Sequence, residues 1–84
     1  MPLYFMHLRD GSEEIIDPEG TEHASLGALR TAVLASVRDL ISGDVKSGVI
    51  DFRFRIDAED EGGDIVYSLP FQHALNIIPQ DAPS

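Results

Sequence analysis

The chain has no cysteine. No disulfide can staple it, and neither a thiolate metal site nor a cysteine nucleophile is open to it. Basic residues are scarce: six Lys and Arg stand against fifteen Asp and Glu, for a formal net charge of −9. Such a chain repels phosphate backbones, so no nucleic-acid partner is expected; the acids belong to turns and solvated faces. No apolar run approaches the roughly 18 residues of a membrane-spanning helix, so no membrane partner is expected either. The start, Met1-Pro2-Leu3, has no basic segment and no long apolar one, and reads as no signal peptide. Together with the absence of cysteine this points to a reducing, cytoplasmic setting. There is no repeat of solenoid length and no low-complexity tract. At 84 residues one domain fits. A chain this short buries only about 60–65% of its unfolded surface, so its core is thin and dimerisation is one way to strengthen it.

What is present is strong patterning. Leu3 to Leu8 are six large side chains in a row, followed by the polar turn Arg9-Asp10-Gly11-Ser12. A strand bulky on both faces reads as central in its sheet. Glu13–Asp17 returns beside it as an edge strand. Ile50 to Asp57 alternates strictly: Ile50, Phe52, Phe54 and Ile56 face a core, while Asp51, Arg53, Arg55 and Asp57 face water. A turn over 58–63 leads to a partner strand, Asp64–Leu69. Between the hairpins, Leu26 to Ser42 reads as a helix. Ser25 is its N-cap and Gly43 its stop, and Leu26, Leu29, Val33, Val37, Leu40 and Ile41 form one stripe. Pro70 to Pro79 reads as a short helix presenting Phe71, Ala74, Leu75 and Ile78. The expectation is an α+β domain over 1–79 with a disordered tail over 80–84. Its single antiparallel four-stranded sheet follows ββαββα order, with spatial order 2-1-3-4 and the main helix on one face. Leu29, Val33, Val37 and Leu40 should meet Phe52, Phe54 and Ile56.

The opening Pro2-x-Tyr4-Phe5-x-His7-x-Arg9-Asp10-Gly11 resembles a family of small uncharacterised bacterial proteins, common in alphaproteobacteria and especially rhizobia, grouped as a domain of unknown function. Asp17-x-Glu19-Gly20 looks like that family's acidic-Gly segment, and Ser25-Leu26 with the alanine-rich helix looks like its central helix. Asp60-Glu61-Gly62 and Leu69-Pro70-Phe71 look like its last turn and closing segment. The likeness covers about residues 2 to 78. It supports the domain plan and implies no activity.

Three groups invite a chemical reading. His7 and Arg9 share one side of the first strand and Asp10 begins the turn. Such a trio can bind an anion or move a proton, or it can simply fix the hairpin. The only imidazoles, His7, His23 and His73, have no helical ligand spacing. The run Asp57-Ala58-Glu59-Asp60-Glu61-Gly62 imitates half of a calcium loop, with Asp57, Glu59 and Glu61 as weak metal candidates, but the twelfth position is Ser68 rather than Glu. The serines have no nucleophile-elbow context and the glycines make no phosphate-binding fingerprint. Arg53 and Arg55, bracketed by Asp51 and Asp57, are explained by cross-strand ion pairs. No enzyme signature and no cofactor motif stands out. The reading is a non-catalytic protein-interaction or regulatory module that forms a homodimer, through the sheet face opposite the helix or through a strand edge. Its alternatives are a small-ligand or metal-dependent enzyme using His7, Arg9 and Asp10, and an acidic antitoxin-like partner of a basic protein.

Overall fold

The computed structural model describes residues 1–80. All but Gln80 of the tail expected over 80–84 therefore lies outside the described residues. The opening run forms β1 (Leu3–Arg9), and the chain returns along it in two short pieces, β2 (Glu14–Ile15) and β3 (Thr21–Glu22). The helix α1 (Leu26–Ser47) follows, then β4 (Arg55–Glu59), β5 (Ile65–Pro70) and a 3-10 turn over Phe71–Ala74. The sheet order is β2-β1-β4-β5, with β3 also paired to β1. All pairings are antiparallel. The bulky strand is thus central, as its two-sided pattern requires. The expected spatial order 2-1-3-4 holds for the four strands of the main path, whereas the chain order is βββαββ followed by a 3-10 turn and not ββαββα.

The sheet has five strands rather than four, because the returning edge is broken. β2 pairs Leu8 with Ile15, and β3 pairs Tyr4 with Thr21. Between these pairs the edge carries two more residues than β1 needs, and they bulge out around Asp17. The Asp17 carboxylate takes the place of a strand carbonyl, accepting the Met6 N–H at 3.2 Å and then the N–H groups of Glu19 and Gly20. The chain turns back at Gly20, where φ is +73° and a Cβ would lie 2.8 Å from the Tyr4 carbonyl oxygen. Only glycine fits there.

Strand β4 starts five residues later than the alternation suggests. Asp51 accepts the Arg53 N–H with its side chain at 3.0 Å. This local bond competes with a ladder and leaves Phe52 and Arg53 in a turn. The inward parity survives. Ile56 and Ala58 are buried, and Phe52 and Phe54 pack against the core from outside the strand. β4 also runs two residues further than expected, so the connection to β5 is residues 60–64 and not 58–63. Asp60 Oδ1 accepts from the Gly62 and Asp64 N–H groups and closes it.

Ser25 caps α1 as expected, its Oγ accepting the Ala28 N–H at 3.1 Å. The helix does not stop at Gly43. A Cβ there would meet nothing within 4 Å, so Gly43 is simply a helical residue on an open side. Termination comes at Gly48, with φ +89°, whose N–H reaches the Asp44 and Val45 carbonyls while the Val49 N–H returns to Asp44. That left-handed cap satisfies carbonyls a stop at Gly43 would have left open. The buried stripe is Leu29, Val33, Val37 and Ile41. Leu40 is not part of it and remains 41% exposed. Four-residue steps advance about 40° around the helix, which carries the buried line to Ile41.

The closing segment is one 3-10 turn instead of a helix to Pro79. Phe71 and Ala74 are buried, while Ile77 and Ile78 are exposed. The turn docks on the helix side of the sheet: the Phe71 N–H donates to the Phe54 carbonyl and Arg38 Nε to the Ala74 carbonyl. Among the described residues no helix lies on the opposite face of the sheet.

Candidate functional site

That face carries the charged residues of interest. Alternation along β1 sends Tyr4, Met6 and Leu8 toward α1 and Phe5, His7 and Arg9 to the open side. The register sets His7 opposite Asp57 and Arg9 opposite Arg55, and places Asp57 opposite Ser68 on β5. Three strands thereby contribute to one row across the sheet.

Asp57 is its centre. It is 1% exposed although no helix covers it. Ser68 Oγ donates to Oδ1 at 2.6 Å, Arg9 Nη1 to Oδ2 at 3.0 Å, and Arg55 Nε approaches both oxygens at 3.1 Å. Burial opposes ionisation of Asp57, but the Ser68 hydroxyl and the Arg9 and Arg55 guanidinium groups outweigh it and hold its carboxyl below the ordinary value. Arg9 also meets Glu14 through Nε at 2.7 Å and Glu59 through Nη2 at 3.0 Å. Asp57, Glu14 and Glu59 together hold its pKa above the ordinary arginine value.

His7 is buried beside this cluster. Its Nδ1 accepts the Asp17 backbone N–H at 3.1 Å, which leaves the proton of the neutral ring on Nε2. Nε2 faces Glu59 Oε1 at 3.6 Å, beyond hydrogen-bond distance. The Phe5 ring stacks nearly parallel to the imidazole, 6.4 Å between centroids.

The residues singled out in the sequence thus divide. His7 and Arg9 share the open face. Asp10 does not join them: its Oδ1 accepts the Ser12 and Glu13 N–H groups and clamps the β1–β2 turn. Those two backbone donors hold its carboxyl below the ordinary value, Glu13 contributing most. Of the metal candidates, Asp57 and Glu59 turn to Arg9, and Glu61 sits exposed in the β4–β5 turn. Among the described residues no group of three or more His, Asp and Glu is placed to hold a metal ion. Arg53 pairs with Asp51 in the turn before β4 and Arg55 pairs with Asp57 along β4, so neither arginine makes the expected cross-strand pair; the cross-strand partner of Asp57 is Arg9. Ser68, Glu14 and Arg55 belong to the cluster although the sequence pattern makes none of them a candidate site residue. Period two did place Arg55 and Asp57 together, but on a face read as solvated.

Chemically most of the cluster's bonding capacity is taken up within it: Asp57 accepts from Ser68, Arg9 and Arg55, and Arg9 also turns to Glu14 and Glu59, while His7 Nε2 stands outside these bonds. Ser68, Asp57 and His7 lie in a row, yet the serine donates to the carboxylate, and no imidazole nitrogen is placed to take its proton. An aspartate held ionised by two guanidinium groups is a weak base. Among the described residues, no buried side-chain nitrogen or oxygen lacks a partner. The hollow next to Arg9, about 240 Å³ and bounded by Gly11, Ser12, Glu14 and Arg55, is open, and its arginines are already engaged. The arrangement joins β2, β1, β4 and β5 by charge-assisted bonds.

No curated protein and no solved structure matches the chain. Residues 3–72, most of the chain, match the family described as a domain of unknown function, DUF6894, and the protein belongs to that family.

Proposed function

We propose that the protein is a non-catalytic protein-interaction module of the cytoplasm that associates with a second copy of itself through the edge of β5. The observation that carries this is the contrast between the two edges of the sheet. One edge is guarded in the usual ways: β2 and β3 are two residues each, separated by a bulge, with Glu13, Glu14, Asp17, Glu19 and Glu22 along them. The other edge, β5, is six residues long and reads Ile65-Val66-Tyr67-Ser68-Leu69-Pro70, without a charge in a chain of net −9. Ile65 and Val66 are exposed on it. Among the described residues its guards are a bulge near its start and Pro70 at its end. An uncharged edge pairs with its own copy about a two-fold axis at little cost in desolvated charge, and the pairing extends the sheet. A catalytic reading through His7, Arg9 and Asp10 has less support, because Arg9 is engaged by Asp57, Glu14 and Glu59, Asp10 is bound into the β1–β2 turn, and no imidazole nitrogen is placed to take the Ser68 proton.

Sedimentation at tens of micromolar tests the proposal. The wild type is expected at dimer mass, more so as salt screens the repulsion of two chains of like charge. Val66→Lys should sediment as a monomer with its melting point preserved. A monomeric wild type at physiological salt overturns the reading.

A further inference from the structure

We propose that a groove between α1 and the sheet, on the side away from β5, is a docking site for a basic amphipathic helix of a partner protein. Two hollows of about 310 and 430 Å³ meet at Leu8 and Leu40, which line both. Their floor is apolar: Met6, Leu8, Phe54 and Ile56. Ile15, cross-strand from Leu8, continues that floor and is 60% exposed. The wall is the helix stripe Ser36, Leu40, Asp44 and Ser47, about three turns or roughly 16 Å. The groove exists because β2 is only two residues long, so among the described residues no strand or helix lies over the apolar side chains it leaves beside α1.

The rim decides what fits. Four aspartates stand around it: Asp17, Asp39, Asp44 and Asp51. Asp51 is paired with Arg53, and Asp17 is held by backbone N–H groups. Asp39 and Asp44 make no ion pair among the described residues. An apolar trough with unpaired acids on one wall complements a helix that carries aliphatic anchors along one stripe and Lys or Arg beside it. A second copy of this chain fits poorly, because it would bring acids to acids. An apolar helix without bases would leave the rim charges desolvated and unpaired.

The test uses the full chain and a labelled synthetic peptide of roughly five helical turns, with leucines at i, i+4, i+7 and i+11 and lysine or arginine at most other positions. A scrambled peptide of the same composition and an acidic one with the same leucines serve as controls. Fluorescence anisotropy is expected to show binding of the amphipathic basic peptide only, weakening as salt rises. Amide shift perturbations should map to Leu8, Ile15, Leu40 and Asp44. Leu40→Lys should weaken binding about tenfold or more, and Asp39→Asn with Asp44→Asn about three- to tenfold with a flatter salt dependence. The double aspartate variant, on the helix surface, keeps the test decisive if Leu40→Lys does not fold. Val66→Lys should bind the peptide as the wild type does. Equal binding of the scrambled peptide, perturbations confined to the open charged face or to β5, no binding up to about 1 mM peptide, or loss of a dimer with Leu40→Lys would each overturn the proposal.

Discussion

Asp17 and His7 hold each other across the broken edge of the sheet. The Asp17 backbone N–H donates to His7 Nδ1 at 3.1 Å, while the Asp17 carboxylate accepts the Met6 N–H one residue earlier on β1. One aspartate thus satisfies the central strand where its neighbour strand is interrupted. Burial opposes ionisation of Asp17, but the N–H groups of Gly20, Met6 and Glu19 outweigh it and keep the carboxyl below the ordinary value. Asp17→Ala removes acceptors from three backbone donors, and a loss of about 1–3 kcal/mol is expected in urea unfolding. An unchanged midpoint would show that water replaces the carboxylate without cost. In the wild type, long-range proton–nitrogen correlation should place the His7 proton on Nε2 when the ring is neutral.

Asp57 is the keystone of the charged face. Asp57→Ala removes a buried carboxylate that accepts from Ser68, Arg9 and Arg55 and leaves the two partly exposed guanidinium groups without their shared partner, and should cost about 2–3 kcal/mol. Ser68→Ala removes a single hydrogen bond to a charged group and should cost about 1–3 kcal/mol. A result in which Ser68→Ala is the worse of the two would contradict this account of the cluster.

The pH dependence has a defined sign. Asp57 and Asp17 both titrate lower in the folded chain than the roughly 3.9 of an unfolded aspartate. On acidification the unfolded chain takes up these protons first, which favours unfolding. Their contribution is complete above about pH 5 and is lost as pH falls through about 4 and the lower folded values. Urea midpoints at pH 7, 5, 4 and 3 should therefore be level at first and then drop. Asp57→Asn should drop less between pH 5 and pH 3 than the wild type, since asparagine does not titrate.

Two glycines on one helix should respond in opposite directions. Gly43→Ala should stabilise by about 0.5–1 kcal/mol, because the position is helical and a Cβ meets open space. Gly48→Ala should destabilise by about 1 kcal/mol, because φ there is +89°. Thermal melts of the two variants check both signs at once.

Packing gives a matching contrast. Val37 is fully buried and Leu40 is not. Val37→Ala should cost about 1–3 kcal/mol, whereas Leu40→Ala should cost less than about 1 kcal/mol although it deletes more atoms. Equal losses would return Leu40 to the core.

Local patterns were sufficient for much of this architecture. Six bulky residues in a row made β1 central, period two set the inward parity of Phe54 and Ile56, and a serine before an apolar stripe started α1. These signals are local, because periodicity and capping involve residues only a few positions apart. The same holds for Asp10, whose role in the turn rests on neighbours two and three residues away.

What the tertiary structure alone decided depends on residues far apart in the chain. Asp57 reads as a water-facing residue along its strand, and it is buried because register brings Arg9 and Ser68, 48 and 11 positions away, over it. The edge breaks at Asp17 because its carboxylate reaches Met6, a choice no propensity reports. Gly43 and Gly48 are alike as symbols, and only the backbone beyond each determines which one takes the left-handed angle. The short β2 opens the groove beside Leu40, and the docking of the closing turn on the helix side leaves the charged face without a helix among the described residues. Pairing and docking energies belong to surfaces that meet in space, so they are settled when the chain closes on itself.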